Sequence, residues 1–384
     1  MNKKKEIVPK FRFPKYVNSE QWISTELSSL LDYERPDLYI VESDNYKNEG
    51  IPVLTANKSF ILGYTDEKNN IYSRVPVIIF DDFTTEKKYV DFPFKVKSSA
   101  IKILKPKGNN VLKFVFELMN TINFEAKEHK RYYISTYQKL FACVPKDVKE
   151  QQKIADCLFS IDDLIDAESR KLKVLEKYKK GLMQKMFPAE GQTLPEWRFP
   201  EFSDGDGWIK TSLSQICIMQ AGKFINASEI SDEQKNNMYP CYGGNGLRGY
   251  TLTHNCSGKY PLIGRQGALC GNVTFATGNF YATEHAIVVT ANKNIDEKWL
   301  YYLLDYLQLN QYATGQAQPG LSVQTLEKVM AIYPGEGEEQ KKIANCLSEI
   351  DTIIAEQSNK VEQLKAHKKG LMQGLFPSLE EADV

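Results

Sequence analysis

Two stretches of the chain place apolar residues at seven-residue intervals on two interleaved series. In the first stretch one series is Ile154, Ile161, Glu168, Leu175, Leu182 and the other is Leu158, Ile165, Leu172, Lys179, Met186. In the second they are Ile343, Ile350, Gln357, Leu364, Leu371 and Leu347, Ile354, Val361, Lys368, Leu375. The series are offset by four and three, as the two core positions of a heptad are. The interruptions fall at matching places, Glu168 with Gln357 and Lys179 with Lys368. Each stretch is therefore predicted to be one helix, roughly 55 Å long at the usual rise per residue, ended by Pro188 or Pro377, which forbid continuation. Antiparallel pairing of the two helices would bury both seams. The polar interruptions fit register-setting, with solvated helix ends as the plainer account of the two lysines.

The stretches are copies. Residues 150–188 (EQQKIADCLFSIDDLIDAESRKLKVLEKYKKGLMQKMFP) align without a gap on 339–377 (EQKKIANCLSEIDTIIAEQSNKVEQLKAHKKGLMQGLFP), with 21 of 39 positions identical at an offset of 189. The repeat continues outside the helices. VPKFRFPKY (8–16) matches LPEWRFPEF (194–202), and WISTELSSL (22–30) matches WIKTSLSQI (208–216). Short apolar helices KFVFELMN (113–120) and YLLDYLQL (302–309) also fall in step, as do ISTYQKL (134–140) and VQTLEKV (323–329). Two units are too few for a solenoid, so duplication is the reading.

Between these anchors the pattern turns β-like. IPVLT (51–55), VPVIIF (75–80), AIKIL (100–104) and AIVVT (286–290) are β-branched runs bounded by turn residues and are read as strands. The second copy adds Gly-rich loops at 239–250 and 264–271. The expected fold is α+β with mostly antiparallel sheets, divided as globular domain 1–149, helix 150–188, globular domain 189–338, helix 339–377 and an acidic tail 378–384.

Composition narrows the class. No run approaches eighteen apolar residues, which excludes a simple membrane helix. The basic N-terminus lacks the apolar stretch of a signal peptide. Seven cysteines without a CxxC pair read as reduced thiols in a cytoplasmic protein. Formal net charge is zero, yet residues 1–149 carry 25 Lys+Arg against 19 Asp+Glu, and 189–338 carry 10 against 15. The first domain thus has a mild basic footprint and the second has none.

Three motifs resemble catalytic chemistry. GNGLRG (244–249) is formally GxGxxG, but the residues after it lack a helical period, so the loop is read as structural or ligand-facing, not a dinucleotide turn. VIIFDD (77–82) with Glu86 and Lys87 hints at a metal nuclease, with no room for the second strand such a site uses; a charged turn is the plainer reading. His254 with Cys241, Cys256 and Cys270 has no common zinc spacing, so no metal is expected. There is neither an adenine-methyltransferase motif nor a Walker A loop.

The doubled E-Q-x-K-I-A start, heptad body and K-K-G-L-M-Q-x-[ML]-F-P end resemble the specificity subunit of type I restriction–modification enzymes. The resemblance runs over nearly the whole chain, strongest in the helices. It implies a non-catalytic subunit in which two target-recognition domains each read half of a bipartite duplex-DNA sequence. An antiparallel coiled coil with pseudo-two-fold symmetry then sets their separation. It further implies two methyltransferase subunits docked on the helices, carrying S-adenosylmethionine, and restriction subunits joined through them, carrying ATP and Mg, with no cofactor on this chain. Since Arg reads guanine and Asn or Gln read adenine, the DNA-contact candidates in the second domain are Arg265, Gln266, Arg248, Asn245 and Lys223. In the first they are Asn57, Lys58, Arg74, Lys87 and Lys88. The rival reading is a coiled-coil adaptor with two protein-binding heads, favoured slightly by the neutral charge.

Overall fold

The run Val77–Asp81 is buried at every position, as a continuous apolar strand inside a core should be. It anchors the first of two compact units, which comprise residues 1–169 with 359–384, and 170–358. The computed structural model describes residues 7–377 apart from 58, 268 and 316–318.

The first unit begins with β1 (Ile23–Glu26), β2 (Leu31–Glu34), β3 (Ile51–Leu54), β4 (Ile61–Thr65), β5 (Val77–Asp81), β6 (Lys87–Val90), β7 (Lys95–Val96) and β8 (Ile101–Pro106). Helix α1 (Leu112–Thr121), β9 (Phe141–Val144) and the start of α2 (Val148–Met186) follow. One sheet runs β2-β8-β5-β6 and is antiparallel throughout. A second runs β4-β3-β7, with β3 and β7 parallel. The pair β1–β9 stands apart.

The second unit holds β10 (Ile209–Ser212), α3 (Leu213–Ile216), β11 (Cys217–Ala221), β12 (Tyr239–Gly243), β13 (Gly246–Thr251), β14 (Cys256–Gly264), β15 (Val273–Ala282) and β16 (Ala286–Ala291). After these come α4 (Glu297–Tyr306), α5 (Val323–Glu327), β17 (Met330–Tyr333) and most of α6 (Gly337–Leu375). Its sheet order is β11-β16-β14-β15-β12-β13, and β10 pairs with β17.

The two orders are the same topology. The ten-residue β15 holds β14 along its first part and β12 at its end, in parallel. In the first unit that strand is broken into β6 and β7 by Asp91–Pro93, where a proline cannot donate to the ladder. One six-stranded sheet thereby becomes two smaller ones. Pairing order survives substitutions that erase residue identity.

Each unit's core includes ends of both long helices. Ile154, Ala155 and Leu158 of α2 join Leu375 and Phe376 around Trp22 and Phe114 in the first. Met183, Met186 and Phe187 join Ile343, Ala344 and Leu347 around Trp299 in the second. Ile154, Leu158, Met186, Ile343, Leu347, Val361 and Leu375 are buried, while Ile161, Ile165, Leu172, Leu175, Leu182, Ile350, Ile354, Leu364 and Leu371 are half-buried. Within the first unit Asp162 pairs with Lys368 and Glu168 with Lys360, so numbers rise along one helix as they fall along the other. Within the second, Lys179 reaches Asp351 at 2.6 Å. Lys179 and Lys368 are only 17% and 16% exposed, and Lys368 also meets the fully buried Glu117 at 3.0 Å. These lysines are partnered inside the packing, not spread into solvent. Among the described residues no helix is long and apolar enough to cross a membrane.

Candidate nucleic-acid interface

In the second unit three turns converge because glycines let their backbones touch. A Cβ on Gly264 would collide with the Gly244 carbonyl, and one on Gly244 would lie 3.1 Å from the Gln266 carbonyl. The turns are β12–β13 (Gly244, Asn245), β14–β15 (residues 265–272) and the strap leading into α5. The Leu321 amide donates to the Arg265 carbonyl (2.9 Å) and the Gly267 amide to the Pro319 carbonyl (3.0 Å), tying the strap down. The first two turns border a cleft of about 560 Å³ lined by Asn245, Leu247, Arg248, Gln266, Leu269 and His285.

Of the five residues singled out here by sequence, Asn245, Arg248 and Gln266 therefore share one cleft. Arg265 is half-buried beside it, its amide donating to the His285 carbonyl (2.9 Å). Lys223 is exposed elsewhere, on an isolated bridge to Thr283. The GxGxxG run spans the turn and strand of a β-hairpin; a phosphate-binding turn would need a helix after it.

The first unit brings together the equivalent turns. The Asp82 amide donates to the Ala100 carbonyl as that of Arg265 does to His285, and the Asp82 carbonyl accepts from Tyr132 (2.8 Å) as that of Arg265 does from Leu321. Tyr132 and Leu321 are 189 residues apart, the offset of the helix repeat. Asn57, on the β3–β4 turn, accepts from the Thr84 hydroxyl (3.1 Å) on the β5–β6 turn. Next to Thr84, Phe83 stacks on His129 with ring centroids 4.6 Å apart and planes inclined by 13°.

The nuclease-like carboxylates are structural. Asp82 is buried against Lys102 at 2.9 Å and accepts from the Tyr133 amide at 2.7 Å, while Asp81 accepts from the amides of Phe83 and Thr84. Among the described residues no three His, Cys, Asp or Glu side chains gather as metal ligands. Cys270 sits in the main core of the second unit, and His254 packs on Tyr239 with ring centroids 4.7 Å apart.

The other described first-domain candidates, Arg74, Lys87 and Lys88, take no part in these turn-to-turn contacts. Arg74 is held by Glu34 (2.5 Å) and Tyr39 (2.8 Å) over the Tyr72 ring. Lys87 and Lys88 are half-buried in β6, and burial pulls the Lys87 ammonium down from its ordinary pKa. Lys58 lies outside the described residues. Sequence reasoning missed the exposed run 127–131, with Lys127, His129, Lys130 and Arg131. Its only local signal was a short knot of positive charge.

Comparison with known proteins shows what these turns are similar to. Residues 205–366 match the family described as type I restriction modification DNA specificity domain. That segment is thus similar to a type I restriction–modification DNA specificity domain. Among curated proteins it is 44% identical over 145 residues to the type I restriction enzyme EcoprrI specificity subunit of Escherichia coli, covering 38% of this chain and 36% of that protein. It is 43% identical over 142 residues to the EcoR124I/EcoR124II specificity subunit of the same species, covering 35% of each. The match thus spans about a third of the length of these two relatives. The type I S subunit crystal structure from M. genitalium superposes with a TM-score of 0.71 at 18% identity, covering 97% of this chain and 100% of that one, which shows a shared fold. The matched segment contains the Asn245–Arg248–Gln266 cleft entire.

Proposed function

We propose that this chain is the DNA-recognition subunit of a type I restriction–modification complex, its two units each reading one half of a bipartite duplex. The observation that carries the reading is the reuse of one set of three turns, in two units of one topology, with different side chains on each. Asn57 and Phe83 stand in the first where Asn245 and Gln266 stand in the second, and the strand register puts Leu62 in the place of Arg248. Shared topology with diverged turn residues is what two readers of different sequences require, since base contacts specify while phosphate contacts position.

The two long helices pair as an antiparallel coiled coil with pseudo-two-fold symmetry and hold the readers apart as a stiff spacer, which a flexible linker would not do. The opposed numbering of the ion pairs within the first unit supports this pairing. Two methyltransferase subunits dock on the helices, bringing S-adenosylmethionine, and restriction subunits with ATP and Mg join through them. The chain itself performs no chemistry. Its part is to orient the duplex for enzymes bound to it.

Co-expression with the methyltransferase partner, followed by mapping of methylated adenines on genomic DNA, tests the reading. A single two-part motif with a fixed gap is expected. Methylation without a bipartite motif, or none at all, overturns it.

A further inference from the structure

The first unit has a cationic and aromatic surface that its sequence did not advertise. Residues 127–131 are all exposed, and the chain then dives into the core at Tyr132 and Tyr133. The Asp82 carbonyl and carboxylate receive the amides of Tyr132 and Tyr133 at 2.8 and 2.7 Å. The loop is thus fastened at its root while its tip stays in solvent. At the tip His129 lies flat on Phe83. The Arg131 guanidinium sits 6.0 Å from the same ring and donates to the Ser99 hydroxyl at 3.3 Å. Lys130 pairs with Glu128 at 2.7 Å, both more than half exposed, a contact too weak to withhold the ammonium from another anion.

The position carries as much as the composition. This loop stands where, in the second unit, the strap ties down the β14–β15 turn beside the Asn245–Arg248–Gln266 cleft through Pro319, Gly320 and Leu321. The cation therefore sits on a different member of the same three turns: on the hairpin and the β14–β15 turn in the second unit, on the strap in the first. A flat aromatic pair beside a guanidinium held by stacking and one hydroxyl suits a nucleic acid, whose sugar and base faces stack while its phosphates accept from arginine.

We propose that Phe83, His129 and Arg131, with Lys127 and Lys130 beside them, form the duplex-DNA contact surface of the first unit. The proposal rests on the function proposed above, and its test separates the two. In the complex assembled with the methyltransferase partner, R131A and H129A are compared with the unaltered chain for duplex binding and for the motif methylated. Each variant is expected to weaken binding at least about tenfold and to relax one half of the motif, leaving the other half read as before. R131K, which keeps the charge and loses the planar fork, is expected to fall between and covers any loop disturbance in R131A. Binding within twofold of the unaltered complex and an unchanged motif in R131A and H129A overturn this inference alone. An unaltered complex that methylates no bipartite motif overturns the function and this inference with it.

Discussion

Arg12 grips Glu150 through two nitrogens, Nε to Oε1 at 2.7 Å and Nη2 to Oε2 at 2.8 Å, with both side chains nearly sealed from solvent. Arg198 and Glu339 repeat the clamp at the same two distances. In each copy the same carboxylate accepts from a tryptophan indole at 3.3 Å, Trp22 or Trp208. The arginine's remaining donors go to two backbone carbonyls, of Ser19 and Glu20 or of Gly205 and Asp206. The R-F-P motif and the E-Q start of each helix are thus two ends of one fastening. The glutamate lies in the first turn of its helix, where the dipole favours a negative charge.

Removing one partner of this clamp strands the other. Arg12→Ala leaves the Glu150 carboxylate buried without its counter-charge and is expected to cost about 3–5 kcal/mol, as is Arg198→Ala at Glu339. Urea denaturation of each variant measures it. A loss under about 1 kcal/mol would show that the clamp behaves as a surface pair.

The far end of the second helix completes the first unit's core. Phe376 is 5% exposed and lies 5.5 Å from Phe114 and 6.4 Å from Trp22, centroid to centroid. Phe376→Ala is expected to destabilise by about 3–5 kcal/mol, seen as a lower thermal midpoint and quenching changes at Trp22. Leu364→Asp, at a half-buried seam position, is expected to destabilise through a poorly solvated charge. An unshifted melt would remove Leu364 from the seam.

Acid should loosen the first unit at Glu34. Burial opposes its charge, yet Lys105, Tyr39 and Arg74 together hold its carboxyl below the ordinary 4.5. The unfolded chain then binds the proton more readily than the folded one, so this stabilisation is present above about pH 4.5 and fades as pH falls through the lower folded value. In Glu34→Gln the dependence disappears. The stability gap between variant and parent is expected to narrow as pH falls below the ordinary 4.5 of the free carboxyl, followed by denaturation at stepped pH.

Within the second unit's cleft, position and readout should separate. Gln266→Ala is expected to relax the base preferred at one motif position with little change in salt slope. Arg248→Ala is expected to weaken binding to all sequences and lower the log–log salt slope by about 1. Titrations of the assembled complex at several salt concentrations read both. Identical behaviour of the two variants would assign both side chains to the same kind of contact.

Heptad spacing alone located the helices, because seam periodicity is local and survives any tertiary setting. The repeated R-F-P, tryptophan and E-Q positions were equally visible, although their joint purpose at Glu150 and Glu339 was not. Lys87 shows where sequence reading ran out: a basic residue beside a charged turn looked solvent-facing, yet β6 half-buries it. Arg74 likewise read as a free cation until Glu34, forty residues earlier, was found to hold it.

Sequence by itself determined that the molecule is a duplication, where its helices run, and which residues repeat at their roots. These follow from spacing along one chain. Tertiary structure alone decided that the two globular stretches share one strand order, and that Asn57 meets Thr84 and Phe83 meets His129 where the second unit joins its hairpin, its β14–β15 turn and the 319–321 strap. Those residues are brought together by strand pairing and by glycine-permitted contact between turns, across separations that no local pattern encodes.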